Sequence, residues 1–109
     1  MINWINLEQA AQLDSIREQS FSRPQLIYKH SIRCGISSMV KGRLERQEAP
    51  AGIDFHYLNL IGFRAISNKI AEDFRVQHES PQVLLIKEGR CVYSASHGDI
   101  DMAAIAEQA

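Results

Sequence analysis

Cysteine is scarce in this chain: there are two, Cys34 and Cys91. Two are too few for a disulfide framework. They lie far apart, and with four scattered histidines they offer no zinc-ligand spacing, so no metal site is read from the sequence. Long apolar runs are missing too, so nothing spans a bilayer. The opening "MINWINLEQAAQLD" lacks a basic leader followed by an apolar stretch, so no secretory signal is read. Charge of one sign is also absent. The net charge is -1 with acids and bases mixed, which gives no nucleic-acid footprint and no acidic surface for a cationic partner. These absences point to a cytoplasmic protein without nucleic-acid or membrane partners.

What is present suits one folded unit. The chain has 109 residues with a 45% hydrophobic fraction, enough for one core, and a single domain over residues 1–109 is expected. The three prolines, Pro24, Pro50 and Pro81, punctuate the periodic stretches. "NLEQAAQLDSIREQS" sets Leu7, Ala10, Ala11 and Ile16 on one helical face, with Asn6 as its expected N-cap and Gln9 completing a capping box. "QLIYKH" reads as a strand, and a helix is expected from Cys34 to about Arg46 despite Gly42. "IDFHYLNL" alternates as a strand, and Ile66, Ile70 and Phe74 mark an amphipathic helix from Arg64. Val83–Lys87, a turn at Glu88 and Gly89, and Arg90–Ala95 read as a hairpin. Asp99 or Asp101 can cap a last helix running towards Gln108. The expected α/β order is an N-terminal helix and then β-α-β-α-β-β-α. That is a thioredoxin-like arrangement: a mixed four-stranded sheet, the first two strands parallel, with helices on both faces.

The chemistry-bearing stretch is "KHSIRCGISSM". It puts Cys34 between a strand and a helix, where unpaired N–H groups and the helix dipole favour a thiolate. Arg33 is adjacent, and Lys29 and His30 are close enough in sequence to add positive charge if they turn towards the sulfur. A thiolate is the species that attacks disulfides. Three residues on stands Ser37, whose hydroxyl and N–H can donate to the sulfur but cannot resolve a mixed disulfide. A monothiol cycle is what such a site can run. The plainer alternative is that Cys34 is a small core residue.

Pro81 in "HESPQVLL" opens a strand. Locally it reads as an ordinary strand-start proline. In a thioredoxin-like sheet the same residue faces the active helix and can be cis, offering backbone groups to a substrate segment. Cys91 alternates with Tyr93 and reads as packing rather than as a distant resolving thiol. His56 reads as packed or solvated, and His97 in "ASHGD" lies in a loop that can approach the site.

On these residues the chain resembles the YtxJ-like monothiol bacilliredoxins, thioredoxin-fold proteins of the bacillithiol system. The likeness is carried by "KHSIRCGIS", by "RAISNKIAEDFRVQHESPQVLLIKEGRCVY" and by "SASHGDI". Gly35 stands where the family's similar segment has proline. The resemblance implies that Cys34 removes bacillithiol, or a similar low-molecular-weight thiol, from S-thiolated proteins and carries it until an external thiol resets the site. The small thiol is then a co-substrate, with no bound cofactor. It also implies supporting or substrate-binding roles for Lys29, His30, Ser31, Arg33, Gly35, Ser37, Ser80, Pro81 and His97. Two other readings share the fold. "RCGIS" is one residue from the CGFS segment of monothiol glutaredoxins that carry iron–sulfur clusters, although "SASHGD" lacks their glycine pair. A non-catalytic binding module is the other.

Overall fold

The structure is a computed structural model, and it describes residues 2–32 and 35–109. The elements are β1 (Trp4–Asn6), α1 (Ala11–Gln19), β2 (Gln25–His30), α2 (Gly35–Arg46), β3 (Asp54–Asn59), α3 (Arg64–Phe74), β4 (Gln82–Lys87), β5 (Arg90–Ser96), a 3-10 turn at His97–Asp99, and α4 (Met102–Gln108). The expected helix beginning at Cys34 is described from Gly35 onwards; Arg33 and Cys34 lie outside the described residues.

One mixed sheet runs in the order β1-β3-β2-β4-β5. It has five strands rather than the four expected, and it opens with a strand rather than a helix. Trp4, Ile5 and Asn6 pair in parallel with Phe55, His56 and Tyr57. Three residues are too few to show an alternation, and the partner lies about half the chain away. Asn6 is therefore a strand residue and not the cap of α1. That helix begins later, at Ala11, and Ala10 at its N-cap position gives no side-chain cap. The turn ahead of it is tied by Gln12, whose Oε1 accepts from the Glu8 and Gln9 N–H groups at 2.8 Å each.

The remaining elements follow the sequence periodicity. β2 pairs in parallel with β3 and antiparallel with β4. The β4–β5 hairpin turns at Glu88 and Gly89, whose positive φ angles of 53° and 80° match the twist of the flanking strands. Asp101, not Asp99, caps α4, accepting from the Ala104 N–H at 3.3 Å.

Helices cover both faces. α2 and α4 bring Val40, Leu44, Met102 and Ile105 onto Leu26, Tyr28, Val83 and Leu85. On the other face α1 and α3 bring Leu13, Ile16, Ile66 and Ile70 onto Ile27, Leu84 and Ile86. Every residue of β2 is buried, as a strand covered on both sides requires. That includes Lys29.

Candidate functional site

The register gathers the loops of interest at one end of the sheet. The parallel strands β1, β2 and β3 finish there at Asn6, His30 and Asn59. Gln82 opens β4 beside Lys29 and pairs with Ser96 at the end of β5. Ser31, Ile32 and Ser37, the Glu79–Pro81 loop and His97 therefore share this end. A crevice outside the carboxyl ends of strands is where open α/β sheets place their ligands.

His30 points to the α2 face. Its imidazole stacks between Tyr28 and Tyr57, with ring centroids 5.9 and 5.4 Å away. Nδ1 lies 3.1 Å from Ser37 Oγ, and the same oxygen accepts from the Ser31 N–H at 3.1 Å. The Tyr28 hydroxyl donates to the Ser37 carbonyl at 2.9 Å. Burial holds His30 below its usual pKa, the Lys41 charge adds to this, and Glu45 opposes it. A neutral imidazole can take the Ser37 proton on Nδ1. Ser37 is fully buried, and its hydroxyl ties the start of α2 to the end of β2.

Lys29 points the other way, into the α3 face. Its Nζ lies 3.4 Å from the Ser67 carbonyl and 3.3 Å from His78 Nδ1. His78 Nδ1 is also 3.3 Å from the Ser67 hydroxyl. No carboxylate among the described residues forms an ion pair with Lys29. Burial lowers the ammonium pKa to about 8. Burial also depresses His78, with the Lys29 and Arg64 charges adding and Glu79 opposing. The structure thus places Lys29 and His30 on opposite faces.

The third wall is the loop before β4. The Ser80–Pro81 bond is cis. The Pro81 carbonyl accepts from the His97 N–H at 3.0 Å, so the loops before β4 and after β5 are joined. Glu79 reinforces the junction: its Oε2 accepts from Ser96 Oγ at 3.0 Å, and its Oε1 lies 3.8 Å from His97 Nδ1. Ser80 Oγ is buried without a hydrogen-bond partner among the described residues.

At the β2–α2 connection the described residues Ile32, Ile36 and Met39 are exposed. Gly35 is exposed as well, and a Cβ built on it would meet nothing within 4 Å. Proline suits the first residue of a helix, where its missing N–H is unpaired anyway. Gly35→Pro is expected to raise stability by about 0.4–1 kcal/mol, mainly by restricting the unfolded chain. A shifted urea midpoint with unchanged slope would show this. A loss of stability would mean that Gly35 uses a backbone freedom proline lacks.

Cys91 is not part of this end. It lies in β5 opposite Ile86, half-buried against the α1–α3 face. Its Sγ donates to the Tyr93 carbonyl at 3.3 Å, and burial pushes its pKa up. His56 is buried mid-strand, with Nε2 2.7 Å from Gln25 Oε1. Residues that the sequence did not single out join the site: Tyr28, Ser67 and Glu79 bond the predicted ones, and His78, indistinct in sequence, becomes the partner of Lys29.

Comparison with known proteins agrees with this fold. The family described as monothiol bacilliredoxin BrxC matches residues 5–105. A solved structure described as an oxidoreductase with a thioredoxin fold is 29% identical, with a TM-score of 0.80, over 96% of this chain and 92% of that one. Malassezia sympodialis thioredoxin (Mala s 13) is 13% identical, with a TM-score of 0.77, over 99% and 92%. Fasciola hepatica thioredoxin is 19% identical, with a TM-score of 0.69, over 94% and 92%. At such identities the two thioredoxins show a shared fold. Among the described residues no helix is long and apolar enough to cross a membrane.

Proposed function

The chain belongs to the monothiol bacilliredoxin family of thioredoxin-fold thiol oxidoreductases, and from that premise we propose that it removes bacillithiol from protein mixed disulfides through Cys34. The Cys34 thiolate attacks the bacillithiol sulfur, and the protein's own sulfur leaves as a thiolate and takes up a proton. Cys34 then carries bacillithiol as a mixed disulfide. A second small thiol attacks that adduct, leaves as the symmetrical disulfide, and returns Cys34 to the thiolate. The reaction belongs in the cytosol, where thiols are kept reduced.

What supports the monothiol reading is that the chain's one other cysteine, Cys91, lies near the hairpin turn and not at the loop-bearing end of the sheet. Ser37 stands three residues after Cys34, and its hydroxyl is committed to Ser31 and His30. Cys91 sits five residues before Ser96, near the hairpin turn, which at strand rise is about 17 Å from the loop-bearing end of the sheet. It also faces the α1–α3 side. An adduct on Cys34 therefore waits for a thiol from solution.

The other site residues fall into supporting parts. His30, Ser31 and Ser37 hold the β2–α2 connection. Lys29 places a positive charge under the end of β2, and Arg33, next to the nucleophile in sequence, adds another. Ser80, Pro81 and His97 form the wall that a protein segment lies along, and Ile32, Ile36 and Met39 supply an apolar collar for it. A direct test is release of bacillithiol from a bacillithiolated protein by the purified chain in the presence of free bacillithiol. Release should exceed that caused by bacillithiol alone; equal release would overturn the reading.

A further inference from the structure

The loop between α3 and β4 carries the Pro81 wall, and two consecutive side chains tie it to opposite sides. Glu79 reaches outward to the β5 side, where Ser96 and His97 meet its carboxylate. His78 reaches inward. Its Nδ1 lies 3.3 Å from the Lys29 Nζ on β2 and 3.3 Å from the Ser67 hydroxyl on α3. Within the loop the Gln82 amide closes the turn, accepting from the Glu79 N–H at 3.4 Å and donating to the Gln77 carbonyl at 3.0 Å. His78 is therefore the residue through which this turn hydrogen-bonds to β2 and α3. It stands three residues before Pro81.

That contact needs one protonation state. An ammonium has donors and no acceptor, so Nδ1 accepts from Lys29 and the ring proton belongs on Nε2. A protonated ring carries N–H groups on both nitrogens. Ser67 Oγ can turn to accept from it, but Lys29 cannot. Where His78 protonates, Lys29 still holds its own proton, because its pKa is about 8. Two cations then stand 3.3 Å apart beside groups that are fully buried. The other charges facing His78 do not relieve this. Arg64, from the first turn of α3, adds to the repulsion. Glu79 of its own loop opposes it but is engaged with Ser96 and His97. His78 itself is partly exposed, so a small outward movement solvates the ring.

We propose that His78 is a positioning residue for the Pro81 wall: neutral, it holds the loop on Lys29 and Ser67, and on taking up a proton it releases the loop. Acid favours release, because the held ring has a pKa below the ordinary histidine value and a solvated ring does not. The wall is thus set in place at neutral pH and loosened as the pH falls. The consequence for a substrate segment rests on the thiol-exchange reading above; the latch itself does not.

NMR of the histidine ring nitrogens tests this. At neutral pH the His78 ring should show a proton on Nε2 and a bare Nδ1. As the pH falls, hydrogen-exchange protection of the His97 N–H, which bonds the Pro81 carbonyl, should be lost with the same midpoint as the His78 ring. Lys29→Met, which removes the neighbouring cation, should raise that midpoint. His78→Asn keeps an acceptor near the Nδ1 position and does not titrate, so its His97 N–H should stay protected. In exchange assays the KM for a thiolated protein should rise severalfold across the His78 midpoint in the wild type and not in His78→Asn, while kcat follows the Cys34 thiolate in both. A proton on Nδ1 at neutral pH, protection indifferent to the His78 midpoint, or the same acid response in His78→Asn would overturn the proposal. Exchange activity without this coupling removes the latch alone, and the coupling in a chain without exchange activity removes the thiol reading alone.

Discussion

Cys34→Ser is expected to lower de-thiolation by at least about 10³-fold, to the rate of exchange in solution, because it removes the nucleophile rather than a contact. Serine at this position keeps the size of the side chain and cannot form the thiolate that attacks a disulfide. No other thiol can substitute. Cys91 is half-buried, its pKa is raised, and it lies at the hairpin end of β5 on the α1–α3 face. Cys91→Ala should therefore retain activity. The check is initial release of the small thiol from a thiolated protein at equal enzyme concentration. Substantial activity in Cys34→Ser would place the chemistry elsewhere.

Lys29→Met is expected to stabilise the protein at neutral pH by about 2–3 kcal/mol, because a buried ammonium is replaced by an apolar chain of similar length. Lys29 is fully buried, and its contacts at 3.3 and 3.4 Å are long for hydrogen bonds to a cation. Its pKa falls from 10.5 unfolded to about 8 folded. Between those values the unfolded chain holds a proton that the folded chain has released. Stability therefore rises with pH from about 8 to 10.5, and that gain is lost as pH falls back through 8. The variant should show no such rise. The half-open side of the cluster at His78 puts the effect below the full shift. Urea unfolding followed by the single tryptophan, Trp4, measures both proteins across this range. Equal slopes with pH, or a less stable variant at pH 7, would contradict the assignment.

The sequence made most of the fold legible because its longer elements have clean periods. Ile66, Ile70 and Phe74 marked α3 to its ends, and the Glu88–Gly89 turn marked the hairpin. β1 escaped because its three residues carry no period and are held by distant backbone pairing. The expected cap at Asn6 fails for the same reason: an N-cap residue type in the right composition is claimed by a strand, and the helix starts with no side-chain cap. In the site, "KHSIRCGIS" showed which residue types meet but not which face each takes. The full burial of β2 was the missing piece. Once both faces of "QLIYKH" are covered, alternation sends Lys29 to Ser67 and His78, and His30 to Ser37. The partners Ser67 and Glu79 had no signal of their own, since an isolated serine in a helix or an exposed glutamate in a loop reads as surface. Local sequence allowed either isomer before Pro81, and the surrounding fold selects cis.

The central claim is that a small thiol passes onto Cys34 and stays there until an external thiol removes it. Intact and peptide mass spectrometry after mixing the reduced protein with a bacillithiolated substrate, without added thiol, tests it in one turnover. The expected result is one bacillithiol adduct on the peptide containing Cys34, none on Cys91, and the substrate protein released with a free thiol. An adduct on Cys91, a disulfide between Cys34 and Cys91, or a lasting cross-link between the two proteins would contradict it.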